Sequence, residues 1–143
     1  MVFAPLASVP APEPGAGPWP AHLARVNGGL ALAGQGLEDL AGEGTPVYLV
    51  DEDDMRARAR AWVDAIGDGD VYYAGKSFLT PAIAAWMVDE GLCIDTASEG
   101  ELRTALAGGV PGAKIGLHGN SKSDATLRLA LESGVGRIVI DSP

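Results

Sequence analysis

The sequence predicts a parallel α/β fold, and three observations carry that prediction. Four short apolar, β-favouring runs begin at residues 71, 92, 114 and 137, spaced 21, 22 and 23 residues apart. Stretches with helical patterning lie between them. Each run gives way to polar residues: Lys76, then Asp95 with Ser98, then His118 with Asn120, then Asp141 with Ser142. An even strand–helix rhythm implies right-handed crossovers and parallel strands.

Taken in order, residues 1–20 hold Pro5, Pro10, Pro12, Pro14, Pro18 and Pro20 among alanines and glycines, the composition of a disordered leader. Residues 21–50 form a segment leading toward the α/β part. Within it Leu30–Ala33 reads as a short strand, Gly36–Ala41 as a short helix, and Val47–Val50 as a strand after the Gly44-Thr45-Pro46 break. Asp51-Glu52-Asp53-Asp54 places acidic residues where a helix macrodipole favours them. Met55, Ala59, Trp62, Val63 and Ile66 then recur on one helical face.

From residue 51 to residue 143 the α/β rhythm holds. Strands are expected at Val71–Ala74, Leu92–Thr96, Lys114–His118 and Arg137–Asp141, with helices near Leu79–Glu90, Glu99–Ala107 and Ser121–Ser133. Leu92-Cys93-Ile94 and Ile138-Val139-Ile140 are continuously apolar, as strands covered on both faces are. Two architectures fit: a doubly wound sheet, or part of a (β/α)8 barrel. No Gly-x-Gly-x-x-Gly follows a strand, which weakens a dinucleotide-binding version. A full barrel takes about 250 residues, so four strand–helix units suggest the N-terminal half of one. The last strand ends at Asp141-Ser142-Pro143 with no helix after it, so a longer protein is expected.

Chemistry in parallel α/β folds gathers at the C-terminal strand ends. A lysine there, beside low-dielectric walls, presents an amine that is hard to keep hydrated and suits nucleophilic Schiff-base chemistry. A surface lysine after a strand is the bland alternative for Lys76. Asp95 suits a turn as well as a site. Ser98 and Glu101 match Ser-x-x-Glu, the capping box of the next helix. His118 fits a satisfied core histidine or a site residue, and Asn120 fits a helix N-cap.

Composition narrows the classes. The chain is 47% hydrophobic and 20% charged, with a net charge of -9, which disfavours a nucleic-acid role. One cysteine, Cys93, cannot close an internal disulfide, and no apolar run is long enough to span a membrane. Both fit a cytoplasmic protein. One Cys and two His supply no zinc cluster, so no metal is expected. His22, beside the leader, is given no role.

Four segments together resemble a known family. Tyr73-Ala74-Gly75-Lys76-Ser77-Phe78-Leu79 is similar to the Tyr-Ala-x-Lys-Ala-Phe/Asn segment of fold-type III pyridoxal-phosphate decarboxylases. Gly44-Thr45-Pro46-Val47-Tyr48-Leu49-Val50-Asp51-Glu52, Leu92–Leu102 and His118-Gly119-Asn120-Ser121-Lys122-Ser123 resemble the matching segments of diaminopimelate decarboxylases, in the same order. The likeness runs from about Trp19 to Pro143.

The resemblance implies an alanine-racemase-like, pyridoxal-phosphate-binding barrel of which this chain holds the N-terminal half. Lys76 would join pyridoxal 5'-phosphate as a Schiff base, Asp95 would lie near the cofactor, and His118, Asn120 and Ser98 would line the pocket. The reaction would be decarboxylation of meso-diaminopimelate to L-lysine, by a homodimer when full length. The glycine-rich phosphate cradle, the ring-stacking histidine, the glutamate at the pyridine nitrogen and a cysteine from the second subunit would lie beyond residue 143. The 143-residue chain alone is therefore expected to be inactive. Ser77 and Glu99 depart from the family's alanine and glycine, and Glu99 adds negative charge near the pocket rim. Two other readings remain: a related decarboxylase of ornithine, arginine or carboxynorspermidine, and a truncated, non-catalytic remnant.

Overall fold

The computed structural model describes residue 14 and residues 18–141. Most of the proline-rich leader, and Ser142, lie outside the described residues. Two compact units divide between Met55 and Arg56.

The first unit is an antiparallel meander. Strands β1 (Leu23–Val26), β2 (Gly29–Leu32) and β3 (Gln35–Gly36) pair in order and run into α1 (Leu37–Ala41). Asn27 at φ 51° and Gly28 at φ 84° make the tight turn of the β1–β2 hairpin, with Val26 opposite Gly29 and Leu23 opposite Leu32. Asn-Gly is a strong short-range hairpin signal because both central residues need positive φ. Of the meander's three strands the sequence suggests only β2, as Leu30–Ala33; β1 and β3 are not expected from it. Leu23, Ala31 and Leu32 form the small core.

The strand expected at Val47–Val50 does not form. Among the described residues no strand lies opposite it, and β-favouring side chains alone cannot supply ladder partners. Tyr48 is 85% exposed. Leu49 lines a cleft with Trp19, Leu23 and Leu32.

Helix α2 (Glu52–Ile66) opens on the acidic run. Asp51 caps it, its Oδ1 accepting the Asp54 N–H at 3.1 Å. The other oxygen, Oδ2, lies 2.8 Å from His22 Nδ1, a partnership the sequence did not suggest. Burial works to raise the Asp51 pKa, but the Asp54 and His22 hydrogen bonds outweigh it and hold the carboxyl below its ordinary 3.8. The expected apolar stripe on α2 is only partly buried: Ala59 is covered, whereas Trp62 is 63% exposed.

The second unit is the strand–helix array. It contains β4 (Tyr72–Ala74), α3 (Pro81–Asp89), β5 (Cys93–Thr96), α4 (Glu99–Ala107), β6 (Ile115–Leu117), α5 (Asp124–Glu132) and β7 (Arg137–Ile138). All four strands are parallel, in the order β4-β5-β6-β7. A doubly wound sheet reverses its strand order at a switch point. Here the order never reverses, so the sheet is part of a (β/α)8-type barrel.

Helix α4 has the bounds expected for it; the other elements are shorter than expected, for local reasons. Helix α3 starts at Pro81 because Thr80 caps it, its hydroxyl accepting the Ile83 N–H at 3.2 Å, and proline suits the first helical position. Helix α5 starts at Asp124 because Ser123 is its cap, accepting the Thr126 N–H at 3.1 Å. Asn120 is therefore not the cap. Strand β7 stops at Ile138, since only the Val139 N–H to Leu117 carbonyl bond extends the ladder.

Register sorts the sheet's side chains onto two faces. Ile94, Thr96, Ile115 and Leu117 share one face and are fully buried with Ile83, Ala84, Leu102, Ala105 and Ala130 of the helices. The other face carries Tyr72, Ala74, Asp95, Gly116 and Arg137, with Arg137 stacked 5.4 Å from the Tyr72 ring centroid. Arg56 and Arg60 bind Glu90 at 3.0 and 2.6 Å, joining α2 to the end of α3. Among the described residues no helix is long and apolar enough to cross a membrane.

Candidate active site

Lys76 occupies one turn of 3-10 helix, Gly75–Ser77, directly after β4. The turn lies against the end of β5. A Cβ on Gly75 would stand 3.0 Å from the Asp95 carbonyl oxygen and 3.4 Å from Glu101 Oε2. Glycine thus lets the lysine-bearing turn approach the neighbouring strand end. Side chains brace the turn itself: Ser77 Oγ donates to the Ala74 carbonyl at 2.8 Å, and Tyr73 Oη donates to the Phe78 carbonyl at 2.6 Å.

Asp95 sits within β5, and its Oδ1 contacts Nδ1 of His118, just past β6. Their side chains are 25% and 47% exposed, so the pair faces an opening. The backbone fixes it from both sides. The His118 N–H donates to the Thr96 carbonyl at 2.7 Å, and buried Thr96 Oγ1 donates to the Gly116 carbonyl at 2.9 Å. Gly119 follows at φ 95°, where a Cβ would lie 2.4 Å from the Ala97 carbonyl oxygen. No other residue type fits there without moving the backbone. Lys122 Nζ donates back to the Gly119 carbonyl and closes the loop.

Three sequence-selected residues, Lys76, Asp95 and His118, therefore lie at three adjacent strand ends. Asn120 lies exposed in the loop after β6. Ser98 is engaged as the N-cap of α4, its Oγ accepting the Glu101 N–H at 3.2 Å. Glu101 reaches back to the Ala97 N–H at 2.8 Å, one residue earlier than a standard capping box would place it.

Glu99 is a brace. It receives Arg103 at 2.8 Å and the Thr126 hydroxyl at 3.0 Å, and these hydrogen bonds lower its pKa. It so joins the first turns of α4 and α5, where negative charge is favoured. Tyr72, on the Asp95 face, has its pKa raised, chiefly by burial. Sequence reading gave Tyr72, Tyr73, Glu101 and Arg137 no part in the site. Only the two-residue alternation along each strand could have marked Tyr72 and Arg137 as sharing a face with Asp95.

A parallel barrel sheet with an amine, a carboxylate and an imidazole at neighbouring C-terminal strand ends defines a class: an α/β-barrel protein, the fold in which chemistry gathers at the C-terminal mouth. The family described as "Pyridoxal-dependent decarboxylase, pyridoxal binding domain" matches residues 52–143, and the chain belongs to it. It is 50% identical over 87% of its length to a diaminopimelate decarboxylase of Mycobacterium leprae, and 46% identical to one of Corynebacterium efficiens. It spans 27% and 28% of those relatives' lengths. Among solved structures, it is similar to diaminopimelate decarboxylase from M. jannaschii in complex with L-lysine: TM-score 0.72, 25% identity, 86% of this chain and 30% of that one. It is also similar to a lysine/ornithine decarboxylase from Vibrio vulnificus complexed with putrescine: TM-score 0.64, 28% identity, 75% of this chain and 30% of that one.

Proposed function

We propose that this chain is the N-terminal part of a decarboxylase that converts meso-diaminopimelate to L-lysine, with Lys76 as the lysine that holds pyridoxal 5'-phosphate. Residues 21–50 lead into the barrel and residues 51–143 supply its first half. The observation that carries the reading is the packing of Lys76's turn against the Asp95 backbone, with the Asp95–His118 pair at the adjacent strand ends. The donor set fits the aldehyde end of the cofactor, since Lys76 supplies an amine after one strand and Asp95 and His118 supply a carboxylate and an imidazole at the next two strand ends.

Bound pyridoxal phosphate supplies the electron sink for loss of the α-carboxylate as carbon dioxide. The chain's own residues bind and orient. Lys76 would hold the aldehyde end of the cofactor through its side-chain amine. Asp95 fixes the imidazole of His118 by taking the Nδ1 side, which leaves Nε2 as the outward ring nitrogen. Asn120 offers an amide at the same mouth, and Ser98 lines it while capping α4. The complete protein acts as a cytoplasmic homodimer in this account; the one cysteine of these 143 residues, Cys93, is free and buried.

The 46–50% identity to diaminopimelate decarboxylases favours that substrate over ornithine or arginine. The likeness to a lysine/ornithine decarboxylase keeps a basic amino-acid substrate as the second reading. The test is product analysis of the purified protein that carries this chain. It should release lysine from meso-diaminopimelate, and faster turnover of ornithine, arginine or carboxynorspermidine would overturn the assignment. The 143-residue chain alone should release no lysine.

A further inference from the structure

A single turn of 3-10 helix holds its own shape weakly, because its hydrogen bonds are few and poorly aligned. The turn that bears Lys76 is held at both shoulders by two neighbouring side chains. Before it, the Ala74 carbonyl receives Ser77 Oγ at 2.8 Å. After it, the Phe78 carbonyl receives Tyr73 Oη at 2.6 Å. The two hydroxyl oxygens lie 3.3 Å apart. Serine has one hydroxyl proton, so the short bond to Ala74 claims it and the contact with Tyr73 is the weaker share. A chain of contacts thus runs Ala74–Ser77–Tyr73–Phe78, strapping the turn from one end to the other. On the far side the turn is backed by the Asp95 carbonyl beside Gly75.

We infer that Tyr73 and Ser77 are positioning residues for Lys76. They fix the turn from which the lysine stem departs, and so raise the effective concentration of its amine at the bound aldehyde. Groups held in register by surrounding hydrogen bonds react faster than the same groups on a loose turn. The inference rests on the reading of Lys76 given above. A local side-chain bond that merely ends the turn would need only Ser77; the reach of Tyr73 across five residues to Phe78 is what makes the strap span the lysine.

The test uses the cofactor-free form of the protein that carries this chain, with pyridoxal phosphate as the probe. A lysine amine condenses with the aldehyde, losing water, and borohydride then reduces the C=N bond to a stable secondary amine. Peptide mass mapping compares the label on Lys76 with that on Lys114 and Lys122, the other two lysines of the chain. At limiting cofactor and short times, Ser77→Ala and Tyr73→Phe should each lower the Lys76 share about two- to tenfold, the range one net hydrogen bond carries. Ser77→Thr, which keeps the hydroxyl, should restore it. Ser77 is exposed, so its substitution removes no core packing. Selective labelling of Lys76 that neither variant changes overturns the inference and leaves the reading of Lys76 standing. Equal labelling of all three lysines in the unaltered protein overturns that reading, and the inference with it.

Discussion

Gly119→Ala is the substitution whose cost the geometry specifies best. Two effects combine at this position. The backbone sits at φ 95°, a region costing an L side chain about 1–3 kcal/mol. The new Cβ would also stand 2.4 Å from the Ala97 carbonyl oxygen, whereas even favourable C···O contacts stay at about 3.3–3.6 Å. The backbone must therefore open by about 1 Å, and overpacking of that kind costs a further 1–3 kcal/mol or so. The sum, about 2–6 kcal/mol, is a large part of the roughly 5–15 kcal/mol that holds a domain together. Gly109 supplies the control: its φ is 77° and nothing lies within 4 Å of its Cβ position, so Gly109→Ala carries the backbone term alone. Urea denaturation of both variants, followed by circular dichroism, measures the difference. Gly119→Ala should lose at least 1 kcal/mol more than Gly109→Ala. Equal losses would refute the claim that the Ala97 carbonyl wedges the His118 loop in place.

Three further outcomes follow from hydrogen bonds and burial. Asp51 has a folded-state pKa below its ordinary 3.8, so its ionised form adds stability that is present above that value and lost as pH falls through the folded value. Asp51→Asn keeps a good capping side chain and loses the charge, so its deficit against the parent should shrink in acid denaturation below about pH 4; a deficit independent of pH would contradict the assignment. Ser98→Ala and Ser123→Ala each remove an N-cap of α4 or α5 and should cost about 1 kcal/mol in thermal unfolding, with unchanged stability as the contrary result. Tyr72, raised by burial, stabilises the fold below its ordinary value of 10.0 and ceases to do so as pH climbs through its higher folded value. A spectrophotometric titration in which Tyr72 ionises at or below its ordinary value of 10.0 would exclude this.

The repeating part of the fold was legible because its strands are apolar runs at nearly constant spacing, and parallel pairing demands that rhythm. Lys76, Asp95 and His118 stood out for the same reason: each interrupts or ends an apolar run. Boundaries were less legible. They depend on which hydroxyl captures which N–H, and Ser123 rather than Asn120 won that competition for α5. Val47–Val50 misled because β propensity describes a segment's fitness for a ladder and says nothing about whether a partner is present. The Asn27-Gly28 turn was visible in the sequence, and weighing it would have located β1. Glu99 could be read as a pocket charge only while its partners were unknown; Arg103, four residues on, was the available hint. The Tyr73–Ser77 strap was not legible at all, since it depends on the path of a turn that neither residue type dictates.

The central claim is that Lys76 is the lysine that takes the cofactor, and one measurement reads it directly. The protein that carries this chain is loaded with pyridoxal phosphate, reduced with borohydride, digested and mapped by mass spectrometry. The account predicts the phosphopyridoxyl mass on the peptide containing Lys76, and no such label on that peptide in Lys76→Ala. A label on a different lysine, or a reducible cofactor absorbance that persists in Lys76→Ala, would contradict it.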